Sequence, residues 1–325
     1  MSQAILEVQD LHTYFTTREG IVKAVNGVSF SLREDSILGL VGESGSGKTV
    51  TALSILQLVP FPGKVVDGHA WYRGQDLLAM SSEELRRIRG KEISLVFQDA
   101  VAALNPVIPI GKQVEEVLLE HTAMSKREAR STAVGLLSQM GIADPKRILK
   151  QYSFQISGSM AQRVVIAIAI ALKPRVLIAD EPTSNLDVTL QAEIMHRLRQ
   201  LQRQDHTSIL LITHDLGLIA QMAQEVAVMY AGSIVEQAET RELFDHPLHP
   251  YTWGLLQALP RLDRPSQPLT PMRGSPPRMI DPPDQCPFLH RCPKATVRCR
   301  TSPKPTLEEL RPGHQVACYN PIWTD

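Results

Sequence analysis

Residues 42–49 read Gly42-Glu43-Ser44-Gly45-Ser46-Gly47-Lys48-Thr49: a glycine, four variable positions, then Gly-Lys-Thr. Immediately before them, Ser36-Ile37-Leu38-Gly39-Leu40-Val41 has the continuous apolar character of a buried strand, and Val50 to Leu58 reads as the helix that leaves. Strand, glycine-rich turn and helix in that order predict a phosphate cradle built from Gly42, Ser44, Gly45, Ser46 and Gly47. Glycine reaches backbone angles that bring amides close to an anion, and the helix N-terminus adds donors and a favourable dipole. Lys48 is then expected to reach the β and γ phosphates, and the Thr49 hydroxyl to ligate Mg²⁺.

A chain of 325 residues can bury a sizeable core and suggests one large and one small unit. Lys and Arg number 34, as do Asp and Glu, so the balance does not resemble a general nucleic-acid-binding surface, and no nucleic-acid partner is expected. The start, Met1-Ser2-Gln3-Ala4, runs into an acidic and polar stretch and carries no secretory pattern. The longest apolar run, Val164 to Leu172, lies between Arg163 and Lys173 and is too short to span a bilayer. An intracellular protein is expected, one that can still sit against a membrane protein.

Working outward, Ile5 to Leu11 alternates like a strand, and Ala24 to Leu32 supplies another. Between them stand Tyr14 and Phe15, then the turn-like Arg18-Glu19-Gly20; one aromatic can stack on a nucleotide base, with Phe15 the first choice and Tyr14 the reserve. Ile93 to Phe97 is a strand ending at Gln98, where ligands bind in α/β sheets, and a glutamine amide there can hold a water or a metal-bound water. Ile110 to Leu137 gives two helical stretches around Met124-Ser125-Lys126. Ser157-Gly158-Ser159 opens a helix through Leu172 and offers a second anion-binding cap.

Val176-Leu177-Ile178-Ala179-Asp180-Glu181 is a buried strand with two carboxylates at its end. Asp180 can hold the Mg²⁺ hydration shell and Glu181 can polarise an attacking water. Asp187 caps a helix from Val188, and Thr207 to Thr213 is a strand ending at His214, whose ring can sense a γ-phosphate. Glu225 to Glu236 reads as a closing hairpin.

With these parts in this order, the chain resembles the ATP-binding subunits of ABC transporters, and more narrowly those of dipeptide and oligopeptide importers. Tyr14 or Phe15 matches the base-stacking position, residues 42–49 the Walker A loop, Gln98 the Q-loop glutamine and a further Mg²⁺ contact. Residues 156–162 match the signature, with Ser157, Gly158, Ser159 and Gln162 expected against nucleotide; Asp180 and Glu181 match the Walker B pair, Asp187 the D-loop aspartate and His214 the switch histidine. Leu104-Asn105-Pro106 points to the peptide-importer branch. The resemblance implies an α/β, ABC-type P-loop nucleotide-binding domain over residues 1–250, with an antiparallel β subdomain and a helical subdomain at about residues 100–165. A small irregular C-terminal extension is expected over residues 251–325. It further implies an ATPase using ATP and Mg²⁺, catalysed by Glu181, His214 and Gln98, that energises peptide import. Its partners would be a related ATPase in a head-to-tail heterodimer, two membrane permease subunits and an extracytoplasmic peptide-binding protein, at the cytoplasmic face of the cell membrane. Nickel complexes or glutathione are alternative cargoes. A non-transport ATPase acting on ribosomes or in DNA repair is the alternative of another class, but it normally carries two cassettes or a long coiled insertion.

The chain departs from the family pattern at the signature, where Ile156-Ser157-Gly158-Ser159 replaces Leu-Ser-Gly-Gly and Ala161 stands where Arg is common, and at Asn185, where Ala is usual. Ser159 adds a side chain where main chain is expected to approach phosphate. From about Phe244 the composition shifts, with a proline-rich connector from Pro260 to Pro283 and then all four cysteines: Cys286, Cys292, Cys299 and Cys318. Arg291, Lys294, Arg298 and Arg300 lie among them. Four thiolates suit zinc or a [4Fe-4S] cluster, and unligated structural thiols are the third reading. The resemblance of this tail to that of peptide-importer ATPases implies the [4Fe-4S] cluster, with zinc as the alternative.

Overall fold

The computed structural model describes residues 4–184, 186–259 and 272–323; Asn185 and residues 260–271 of the proline-rich connector lie outside the described residues. In chain order the strands are β1 (Ala4–Thr17), β2 (Gly20–Arg33), β3 (Ile37–Val41), β4 (Gly63–Tyr72), β5 (Gln75–Asp76) and β6 (Ile93–Val96). There follow β7 (Val176–Asp180), β8 (Ser208–Thr213), β9 (Glu225–Tyr230), β10 (Ser233–Glu239), β11 (Glu308–Arg311) and β12 (His314–Val316). The chain divides into two compact units, one of Met1–Ile5, Leu32–Ile37 and Ala79–Ile212, the other of Leu6–Ser31, Leu38–Leu78 and Thr213–Asp325.

In the first unit β6, β7 and β8 run parallel, with Leu95 opposite Ile178 and Ile178 opposite Leu210. Every residue of β7 and β8 is buried, as strands covered on both faces require. A helical portion packs Ile110–His121, Lys126–Gln139 and Gly158–Ile170 against one another. Their buried stripes, Val114 and Leu118 on the first and Ala129, Ala133 and Leu137 on the second, follow the helical period. Ser125 and Glu128 close a capping box at the start of the middle helix, which fixes where it begins.

The second unit carries an antiparallel sheet in the order β2-β1-β4-β5. Here β1 is longer than the alternation of residues 5–11 predicts. A register shift after Gln9 lets pairing with β4 continue to Phe15 opposite Gly63, so Tyr14 and Phe15 are strand residues. In the same unit β3 lies parallel to β9, β9 and β10 form the predicted hairpin, and β12 adds antiparallel to β10 with Glu236 opposite Val316. β11 then pairs with β12. The extension is also pinned by the buried Glu236 carboxylate, which accepts the N–H groups of Leu248 (2.6 Å) and His249 (3.0 Å) and bonds His314 Nε2 at 2.7 Å. Burial pushes the His249 imidazole down to about 4, and its Nδ1 accepts the Tyr251 N–H, so that ring is neutral. Among the described residues no helix is long and apolar enough to cross a membrane.

Candidate functional site

The second unit holds the glycine-rich loop. β3 delivers Gly42, and the helix Lys48–Ile55 starts at Gly47, which has φ 106° and no side-chain cap. A Cβ on Gly47 would meet the Ala24 carbonyl oxygen at 2.3 Å, and one on Gly42 the Met229 oxygen at 2.1 Å, so neither position tolerates a side chain. With no side chain capping them, the first amides of this helix are suited to an anion. Lys48 is buried, and its ammonium donates to the carbonyls of Gly42 (2.8 Å) and Glu43 (3.0 Å) and to Ser46 Oγ (3.4 Å). Ser44 and Gly45 are exposed at the loop tip, Ser46 is buried, and Thr49 is half-buried in the first helical turn. The loop is held from below by the Gly232 N–H, which donates to the Ser46 carbonyl at 2.9 Å.

Two contacts on this loop carry no local sequence signal. The Glu43 N–H donates to the Tyr251 hydroxyl oxygen at 2.9 Å, and the Glu43 carboxylate accepts two hydrogen bonds from Arg291, at 2.6 and 2.9 Å. Partners 208 and 248 residues away are invisible to any reading based on spacing.

In the first unit the carboxyl ends of neighbouring strands gather the acidic pair and the glutamine. Asp180 ends β7 and Glu181 follows it, both buried. Glu181 sits at φ 48°, a left-handed backbone uncommon for a residue with a side chain, and its N–H donates to the Ile212 carbonyl at 2.9 Å. Gln98, two residues past β6, is exposed, and its carbonyl accepts the Ser184 hydroxyl at 3.4 Å. Asp187 caps the helix Val188–Gln204 by accepting the Leu190 N–H at 3.0 Å. Ser157 caps Gly158–Ile170 through the Met160 N–H, and its hydroxyl also bonds that of Ser159 at 3.0 Å. Gly158 is exposed, with nothing within 4 Å of where a Cβ would stand. Gln162 is buried, and its Nε2 has no hydrogen-bond partner among the described residues.

The two aromatics point to opposite faces of β1. Tyr14 donates its hydroxyl to Asn26 Oδ1 at 3.0 Å, bonds His12 Nδ1 at 3.1 Å and lies under the Lys23 ammonium; burial raises its phenol above the usual range. Phe15 has no such commitments and sets its ring beside Val59 and Gly63, the more suitable of the two for stacking. His214, directly after β8, is exposed.

Residues 25–184 match the ABC transporter family, and residues 235–299 match the oligopeptide/dipeptide transporter C-terminal region. The dipeptide transport ATP-binding protein DppD of Bacillus subtilis (strain 168) is 48% identical over 98% of this chain and 95% of its own length. The chain belongs to the peptide-importer branch of the ABC transporter ATP-binding subunits. The oligopeptide transport ATP-binding protein OppD of Escherichia coli (strain K12) is 43% identical over 99% of this chain and 94% of its own. Among solved structures, the dimeric post-hydrolysis state of the ATP-binding cassette MJ0796 with ADP and Pi is 26% identical, with a TM-score of 0.66. It covers 73% of this chain and 99% of its own, so the ABC-type nucleotide-binding fold and the ATPase class are those of this ABC subunit.

The cysteine-bearing tail of this ABC subunit corrects the expectation of a [4Fe-4S] or zinc site. Among the described residues no group of three or more His, Cys, Asp or Glu side chains is disposed to hold a metal ion. Cys286, Cys292, Cys299 and Cys318 do line one cavity, but it measures only about 10 Å³ and is walled by Phe288, Leu289, Ala295 and Pro250. Burial pushes the Cys286 thiol up to about 11 and Cys318 to about 12, and raises Cys292. Cys299 bonds Thr296 Oγ1 at 3.3 Å, and Cys318 Sγ accepts the Asn320 N–H at 3.4 Å. The four side chains pack around this small cavity, an arrangement that clustering in a basic segment does not distinguish from ligation.

Proposed function

We propose that the loop of residues 42–49 holds the polyphosphate of ATP and that Glu181 drives its hydrolysis. The chain is the ATP-binding and hydrolysing subunit that energises di- or oligopeptide import by an ABC transporter. The observation that carries the site assignment is the uncapped helix start beside a buried lysine, in a loop where a Cβ at Gly42 or Gly47 would strike main chain.

That cradle fits phosphate, and Thr49, Asp180 and Gln98 offer the oxygen donors that a hard cation such as Mg²⁺ takes. Thr49, Asp180 and Gln98 would hold Mg²⁺, which would supply screening of phosphate charge and Lewis-acid polarisation of the phosphoryl group. Lys48 moves its ammonium from the loop carbonyls to phosphate oxygens. Glu181, buried at the strand end, takes a proton from the attacking water, whose position Gln98 helps to fix. His214 donates from its ring to the γ-phosphate, and Phe15 stacks on the base.

The proposed working unit is a head-to-tail pair with a related ATPase, in which Ser157, Gly158, Ser159 and Gln162 meet the partner's nucleotide beside Asp187. The dimeric state of the solved cassettes supports this pairing. Two membrane subunits and an extracytoplasmic peptide-binding protein complete the transporter, and the ATPase lies at the cytoplasmic face of the membrane. Residues 1–250 form the ATPase proper and residues 251–325 its extension. In the assembled transporter Glu181→Gln is expected to keep Mg-ATP binding while lowering turnover about a hundredfold or more. Equal ATPase rates in the two complexes would sink the assignment.

A further inference from the structure

Glu43 is the acidic residue of the phosphate loop, and each of its polar groups is committed. Its carbonyl accepts Lys48 Nζ at 3.0 Å, its N–H donates to the Tyr251 hydroxyl at 2.9 Å, and its carboxylate takes the two Arg291 bonds. Arg291 is held as firmly. Its side chain is 6% exposed, Nε donates to the Arg273 carbonyl at 2.9 Å and Nη1 to the Tyr230 hydroxyl at 3.3 Å. The guanidinium lies 5.7 Å from the ring centre of Tyr230 and 5.9 Å from that of Phe288, and both rings pack against Tyr251. The hydrogen bonds that Arg291 donates to Glu43 raise the arginine pKa, so its charge is permanent.

From this geometry we infer that Arg291 is a positioning residue for ATP: it cancels the Glu43 charge inside the phosphate loop and fixes the main chain that orients Lys48. A carboxylate in a loop that receives polyphosphate repels its ligand. Paired with a planar guanidinium in fork-to-fork geometry, the same carboxylate becomes a fixed neutral anchor. Breaking a mostly buried pair from the arginine side leaves the carboxylate uncompensated where phosphate must come. Through this contact the C-terminal extension forms part of the nucleotide site without touching nucleotide. The inference rests on the reading of residues 42–49 as the phosphate loop.

The test uses the assembled transporter, with equilibrium binding of a fluorescent ATP analogue and nucleotide-free melting as readouts besides ATPase kinetics. Arg291→Met keeps an unbranched apolar stem over Tyr230 and Phe288 while removing the charge. It is expected to raise the dissociation constant about tenfold and to change kcat at saturating ATP by less than about twofold. Adding Glu43→Gln to Arg291→Met removes the stranded charge and should recover most of that loss, a rescue that simple loss of packing does not produce. Arg291→Lys keeps the charge but loses the bidentate fork, and should weaken binding about threefold. Unchanged affinity in Arg291→Met, or equal weakness in the single and double variants, overturns the inference. If Arg291→Met does not fold, an Arg291→Lys affinity indistinguishable from the wild type overturns it. Lys48→Ala separates the two levels: if it leaves affinity intact, the phosphate-loop reading itself fails, whereas a loss there with none in Arg291→Met rejects only the role of Arg291.

Discussion

The helix Lys48–Ile55 starts at a left-handed Gly47 with no side-chain cap, whereas Gly158–Ile170 starts at Ser157, whose hydroxyl takes the Met160 N–H and bonds Ser159. Both starts are assigned to ATP phosphates, yet only the first leaves its opening amides uncapped by a side chain. There the proposed phosphate would meet a loop of glycines beside a buried lysine. At the second, an incoming phosphate must share or displace a serine cap worth about 1 kcal/mol. On the proposed reading, one end is a preformed cradle for the chain's own nucleotide. The other is self-satisfied, and it suits a surface that engages a nucleotide only when a partner cassette presents one.

Three substitutions press on this difference. Lys48→Ala removes the charged group of the preformed cradle and should weaken ATP affinity about a hundredfold in equilibrium binding, roughly 2.7 kcal/mol. If the loss is below about threefold, the cradle is not preformed in the sense argued. At the other start, Ser159→Gly removes the Ser157–Ser159 hydroxyl bond and the added side chain, and should raise turnover at the partner's nucleotide about tenfold, since small misplacements there are costly to rate. Single-turnover measurements with Glu181→Gln disabling this chain's own site would isolate that effect; unchanged partner-site turnover would show that the loop absorbs the serine. The smallest effect belongs to Ser157→Ala, expected to lower stability by about 1 kcal/mol in denaturant melts while affinity at the chain's own loop stays as it was. Should that affinity fall as far as in Lys48→Ala, the contrast between the two starts dissolves.

Local chemistry explains which parts could be read from the sequence. Residues 42–49, Asp180-Glu181 and the cap residues Ser157 and Asp187 are each defined by neighbours a few positions away, and the structure puts them on the expected strand ends and helix starts. Tyr14 was harder, because its hydroxyl is spent on Asn26 across the turn and on His12, which a pattern of aromatics cannot reveal. The cysteines misled for a related reason. The thiols share a small cavity with Phe288 and Leu289, a setting that their spacing does not encode. Arg291 read as one more basic residue of a charged tail, since Glu43 comes to it from the far end of the chain.

One consequence of the β12 pairing concerns solubility. Without β12, β10 would be the last strand of its sheet segment, a row of bare N–H and C=O groups on a strand made largely of buried residues. Such an edge recruits strands from other molecules. The strand that covers it is three residues long, and the outermost one, β11, presents exposed Glu308 and Glu309. Short length and like charge are what stop one strand from templating the next. Residues 308–316 thus guard the sheet's open side against edge-to-edge joining of copies of the protein.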